Sequence, residues 1–174
     1  MIDKQNDFKA FAEEKIAAIY AQNDVDEIYA LLCKKNSSFS NYSKEAFEFE
    51  FVCLRLAIDC IGWINGCREN HISDKTLQNT FFKSVMDSFA SPKLLPLAAG
   101  FSDYLYSPDG TRKSDETFSL VVILFKRLEG RQKKSALRTE KSDLTGCVKA
   151  MVEITESIRM SFENEFLKCA NSSF

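Results

Sequence analysis

Apolar residues recur along this chain at steps of three and four, the period of helices packed on one face. Phe8, Phe11, Ala12, Ile16, Ile19 and Tyr20 mark a first amphipathic helix over 3–22. Asp24, with Glu27 three residues on, has the spacing of a capping box and opens a short second helix that buries Ile28, Leu31 and Leu32. Residues 36–42 read as a polar loop carrying one aromatic residue, Phe39.

The stretch 44–70, KEAFEFEFVCLRLAIDCIGWINGCREN, departs from that pattern. Between Phe51 and Ile64 only Arg55 and Asp59 carry charge. A surface helix keeps a wide polar face, so a helix this apolar belongs inside a fold or an assembly.

Beyond it, Ser73 and Asp74 offer caps for a helix with the stripe Leu77, Phe81, Val85 and Phe89. Pro92 and Pro96 both suit a first helical turn, so the next helix starts at one or the other and runs to Tyr106. Ser107-Pro-Asp-Gly110 has Pro second and Gly fourth, the arrangement of a type I turn. The β-branched block 118–125 describes a buried strand as well as a helix. Lys126 and Arg127, followed by Gly130, make a helix ending, and no partner strand exists elsewhere, so helix is expected. A last helix over 142–169 buries Leu144, Cys147, Val148, Met151, Ile154, Ile158, Phe162 and Phe166. The expected architecture is all-α: one domain over 1–174, an irregular bundle of six or seven helices around a long apolar central helix.

Composition narrows the function classes. Phenylalanine occurs 15 times against a single Trp63. Its ring needs no hydrogen-bond partner and serves cores and subunit contacts alike. A net charge of −2 is too small to steer nucleic acid or a membrane surface over long range. No apolar run approaches the ~20 residues that cross a bilayer, and the opening Met1-Ile-Asp-Lys lacks the pattern of a secretory leader. Membrane insertion is not expected, and a cytoplasmic setting is. Six cysteines without a CxxC pair sit inside apolar periodicities, as reduced, buried thiols do.

Four constellations bear on chemistry. Glu48, Arg55, Asp59, Gly62 and Gly66 share one face of the central helix. Glycine inside a helix costs ~1 kcal/mol against alanine, so two of them signal close approach of a backbone or a ligand. Arg55 could hold an anion there with Asp59 or Glu48 orienting it; the simpler reading is an Arg55–Asp59 ion pair on a narrow solvent-facing strip. Cys67 and His71, four apart, could form a thiolate–imidazolium pair or a polar helix end. Cys53, Cys60 and Cys67 recur every seven residues, about 10.5 Å apart, too far for a disulfide or a shared metal ion, and read as a packing seam. Finally, Arg131, Lys133, Lys134 and Arg138 lie in a basic stretch that could touch phosphate oxygens. No aromatic residue is interleaved there for base stacking, which argues against nucleic acid.

No catalytic motif, metal-ligand set or cofactor loop is recognisable. The sequence therefore points to a non-enzymatic protein that works through a protein partner or as a homo-oligomer. The alternative is a small-molecule binder or enzyme with a pocket near Arg55 and Asp59.

Overall fold

A computed structural model describes residues 2–21, 24–131 and 144–172. Among them lie seven α-helices and no strand: α1 (Ile2–Ala21), α2 (Val25–Lys35), α3 (Lys44–Glu69), α4 (Lys75–Ser88), α5 (Leu95–Leu105), α6 (Thr117–Arg131) and α7 (Thr145–Ser172). The chain is all-α, and its helices form an irregular bundle around α3. Ser43 caps α3 by accepting from the Ala46 amide at 3.1 Å. Sixteen of its 26 residues are buried, and it packs against each of the other six helices. That explains its lack of a polar face: every side of it meets a neighbour.

The direction of each neighbour follows from which residues meet. A methyl placed on Gly62 would stand 2.8 Å from Phe162 Cδ1, and one on Gly66 2.5 Å from Phe166 Cδ1. Both numbers rise together, so α7 runs parallel to α3, its phenylalanine rings pressed into hollows that only glycine leaves. Around them Phe8, Phe11, Trp63, Phe81, Phe162 and Phe166 form one aromatic cluster linking α1, α3, α4 and α7, with centroids 5.1–6.4 Å apart. Edge and offset contacts of this kind add to simple area burial. The Trp63 indole N–H donates to the Leu77 carbonyl at 2.9 Å, so this large ring is buried without an orphaned donor.

Several local expectations are corrected. Asp24 precedes α2 but makes no side-chain cap, because its carboxylate accepts from Arg55 instead. Leu31 is exposed rather than buried. Residues 36–42 contain a 3-10 helix, Ser37–Asn41, whose Phe39 is wholly buried among Tyr29, Tyr42, Phe47 and Phe125. Leu95 begins α5, so Pro96 is the proline in a first turn, and Pro92 lies in the preceding turn. The block 118–125 is helical, and Gly130 does not end α6, which continues to Arg131. After Asp74, which caps α4 through Thr76 at 2.7 Å, the stripe Phe81, Val85, Phe89 is buried. The turn at 107–110 is tight: Gly110 donates to the Ser107 carbonyl at 2.8 Å and takes φ +80°, and a bridge pairs Tyr106 with Arg112.

Candidate functional site

The most heavily charged interior point is Glu50, which is fully buried. Its carboxylate accepts from Arg127 Nε at 2.6 Å, from Arg131 Nε, and from the Tyr104 hydroxyl at 3.3 Å. Arg127 also pairs with Asp103, and the Arg131 guanidinium lies 4.1 Å from the Phe49 ring centroid. Gly100 makes room for this arrangement, since a methyl there would meet Cys53 Sγ at 2.6 Å and Arg127 Nη2 at 3.4 Å. A buried carboxylate persists only when paired and hydrogen-bonded. Glu50 is so provided, and it ties α3, α5 and α6 together. The anion that Arg131 holds is thus the protein's own Glu50. Lys133, Lys134 and Arg138 lie outside the described residues.

The face expected to carry a polar cleft is filled instead. Phe162 and Phe166 occupy the glycine hollows, and Glu48 turns to Lys44 at 3.7 Å. Arg55 and Asp59 do not form the expected solvent-facing ion pair. Arg55 Nη1 donates to Asp24 Oδ2 at 3.1 Å, and Asp59 is 3% exposed. Three buried polar atoms lack a hydrogen-bond partner among the described residues: Arg55 Nε, Asp59 Oδ1 and Thr155 Oγ1, all on α3 and α7. Burial is the main force on Asp59 and raises its pKa to about 7; Arg55 and Lys15 oppose the rise, and Glu165 adds to it.

Cys67 and His71 are separated by the end of α3. His71 takes φ +53°, while Ile72 N–H donates to the Cys67 carbonyl at 2.9 Å and His71 N–H to that of Arg68 at 3.2 Å. This is a Schellman ending with histidine where glycine is usual. His71 is exposed, Cys67 buried, and burial pushes the thiol up to about 11. A thiol shifted in that direction is a weak nucleophile. Cys53 is pushed up to about 12, also by burial, with its Sγ 3.7 Å from the Leu97 carbonyl. Among the described residues no three His, Cys, Asp or Glu side chains gather as metal ligands, and no helix is long and apolar enough to cross a membrane.

Glu50 is partnered inside the fold, Asp59 Oδ1 is not, and two further features lie on the surface. On α6 Phe118 is 59% exposed and Lys126 is exposed, while Val122 and Ile123 are half-buried, Ile123 packing partly against the core. They line a shallow groove of 580 Å³ bounded by Lys113, Asp103 and Arg127. On α7 the outward stripe reads Glu153, Glu156, Met160, Asn164 and Leu167, with Lys149 at its N-terminal limit; Met160 is 63% exposed and Leu167 44%. One helix presents apolar residues with basic neighbours, the other apolar residues with acidic ones. No family model, curated protein or solved structure matches the chain.

Sequence reasoning fixed on Glu48 and passed over Glu50. A signal was present: Glu50 stands at helical spacing from Phe47, Cys53, Leu54 and Ala57, all of them buried, whereas Glu48 does not share that face. The spacing Arg127 and Arg131, one turn apart on the strongly apolar α6, is its counterpart. The α6 groove gave a weaker sign, because in the block 118–125 inward and outward positions are equally apolar.

Proposed function

We propose that this chain is a non-enzymatic assembly protein that associates with copies of itself, the α7 stripe of one copy seating in the α6 groove of the next. The observation that carries the reading is the pairing of two exposed helix faces of opposite local charge. Phe118 and Val122 stand one turn apart, about 6 Å along α6, with Lys126 a turn further on and Lys113 at the groove's edge. Met160 and Leu167 stand two turns apart, about 10.5 Å along α7, with Glu153 and Glu156 preceding them. Burying Phe118, Met160 and Leu167 removes large apolar surface from water at roughly 25 cal/mol per Å². Lys126 and Lys113 facing Glu153 and Glu156 set register and discourage like-with-like docking.

Because the two patches differ, the contact is head-to-tail and builds a ring or a filament. That property supplies the test. Phe118→Glu removes the groove and leaves the stripe; Met160→Glu does the reverse, and both positions are exposed, so the fold should survive. Native mass spectrometry is expected to show species above the monomer for the parent chain, monomers for each variant alone, and a one-to-one pair when they are mixed. A parent chain that stays monomeric at high concentration, or a mixture that stays monomeric, would overturn the proposal.

A further inference from the structure

Gly62 receives Phe162 and Gly66 receives Phe166, a constant offset of 100 residues between two parallel helices. Carried two turns back, the same offset sets Thr155 of α7 opposite Arg55 of α3. Thr155 is 1% exposed, and Met151, Phe162 and Phe166 on its stripe are buried too, so α7 keeps this face inward throughout. Side chains on a helix lean toward its N-terminus. The Asp59 carboxyl therefore reaches back over the turn that carries Arg55. The Arg55 guanidinium is near enough to favour the ionised carboxyl, yet no hydrogen bond joins the two.

Three unpartnered buried atoms thus come to one level of the α3–α7 contact: Arg55 Nε, Asp59 Oδ1 and Thr155 Oγ1. The charged groups around them are engaged elsewhere. Arg55 gives Nη1 to Asp24 at 3.1 Å. Lys15, which α1 brings near Asp59, pairs with Glu165 and lies 5.3 Å from the Phe11 ring centroid. Arg159, one turn beyond Thr155, donates Nε to Glu163 at 2.9 Å and Nη1 to the Asp115 carbonyl at 3.3 Å. The three free atoms are complementary in kind: Nε–H only donates, the carboxyl oxygen accepts, and the hydroxyl does either. Polar atoms buried without a partner are costly, so three at one level call for a common partner small enough to leave the packing intact. Water meets that need, since a buried water makes about three hydrogen bonds to groups of this kind and bridges polar atoms too far apart to bond directly.

We propose that α3 and α7 hold one buried water molecule, which accepts from Arg55 Nε–H, donates to Asp59 Oδ1 and shares a hydrogen bond with the Thr155 hydroxyl. The site is independent of the assembly contact, because Met160 and Leu167 face outward on α7 while Thr155 faces α3.

Thr155→Val exchanges the hydroxyl for a methyl of nearly the same shape, and the two readings of that hydroxyl predict opposite signs. If it bonds a water, its removal leaves the water and the other two atoms short of a partner. The thermal midpoint should then fall by about 2–4 °C, the effect of one net hydrogen bond in a chain of this size. If it is simply an orphan, its removal relieves a burial cost and the midpoint should rise. A crystal structure of the parent chain, at a resolution that orders solvent, should show one water within hydrogen-bond distance of all three atoms. A midpoint unchanged or raised in Thr155→Val would overturn the proposal. So would a crystal structure with no solvent density there, or with Thr155 bonded directly to Asp59.

Discussion

Asp59 makes stability depend on pH in a direction opposite to that of most carboxylates. Its ordinary value of 3.8 rises to about 7 in the folded chain, chiefly through burial. Between those values the folded state binds more protons than the unfolded one, so stability falls as pH rises and the loss is complete above about 7. At ~1.36 kcal/mol per pH unit, ionising Asp59 costs the fold on the order of 4 kcal/mol. That is a large share of the 5–15 kcal/mol typical of a domain. Asp59→Asn keeps the shape and removes the charge. Urea unfolding followed by circular dichroism should show Asp59→Asn gaining about 2 kcal/mol on the parent chain between about pH 5.5 and about pH 8.5, the rest of the loss having occurred below about pH 5.5 as the unfolded carboxyl ionises. Every other titrating group is common to both chains and cancels in the difference. A difference that stays flat across this interval, or a variant that loses ground at high pH, would refute the argument. The latter would mean that Arg55 or Lys15 outweighs burial.

Glu50→Gln leaves Arg127 and Arg131 facing a neutral group and should destabilise the fold by about 3–5 kcal/mol. A double-mutant cycle with Arg127→Gln, read by denaturant midpoints, should return a coupling energy well above that of a surface pair. Gly66→Ala places a methyl 2.5 Å from Phe166 Cδ1, and the overpacking, ~1–3 kcal/mol, should exceed the gain in helix propensity. Gly130→Ala, with nothing within 4 Å, should instead raise the thermal midpoint, by an amount matching ~0.5–1 kcal/mol. Alkylation of Cys67 in the folded protein, followed by peptide mass spectrometry, should be slower than that of a free thiol at neutral pH, because the group titrates near 11 and is buried.

Most of the helical plan was legible because it rests on local rules. Ser43 and Asp74 cap as their residue types prefer, and α3 lacks a polar face because it has no solvent side. The two glycines of α3 announced a close approach. What came close was a pair of phenylalanine rings far along the chain, and helical spacing has no access to such a partner. Asp24 failed as a cap for a similar reason: Arg55, thirty-one residues away, competes for its carboxylate and wins. The pairing of Arg127 and Arg131 with Glu50 likewise spans 77 and 81 residues. Burial of a charge becomes visible only when all its neighbours are known. The α6 groove was hidden by uniformity, since a helix apolar at inward and outward positions alike does not declare which side faces water.

The parallel seating of α7 on α3 also bears on how the chain reaches its fold. Gly62 and Gly66 meet rings that follow them by 100 residues. At 5–20 residues per second, a ribosome takes roughly 5–20 s to cover that distance. Until then the central helix has no lid over its glycine face, and closing so long a loop delays the contact further. The nascent chain therefore passes through an interval in which α3 is exposed to whatever else is in solution. The arrival of α7 is what ends it.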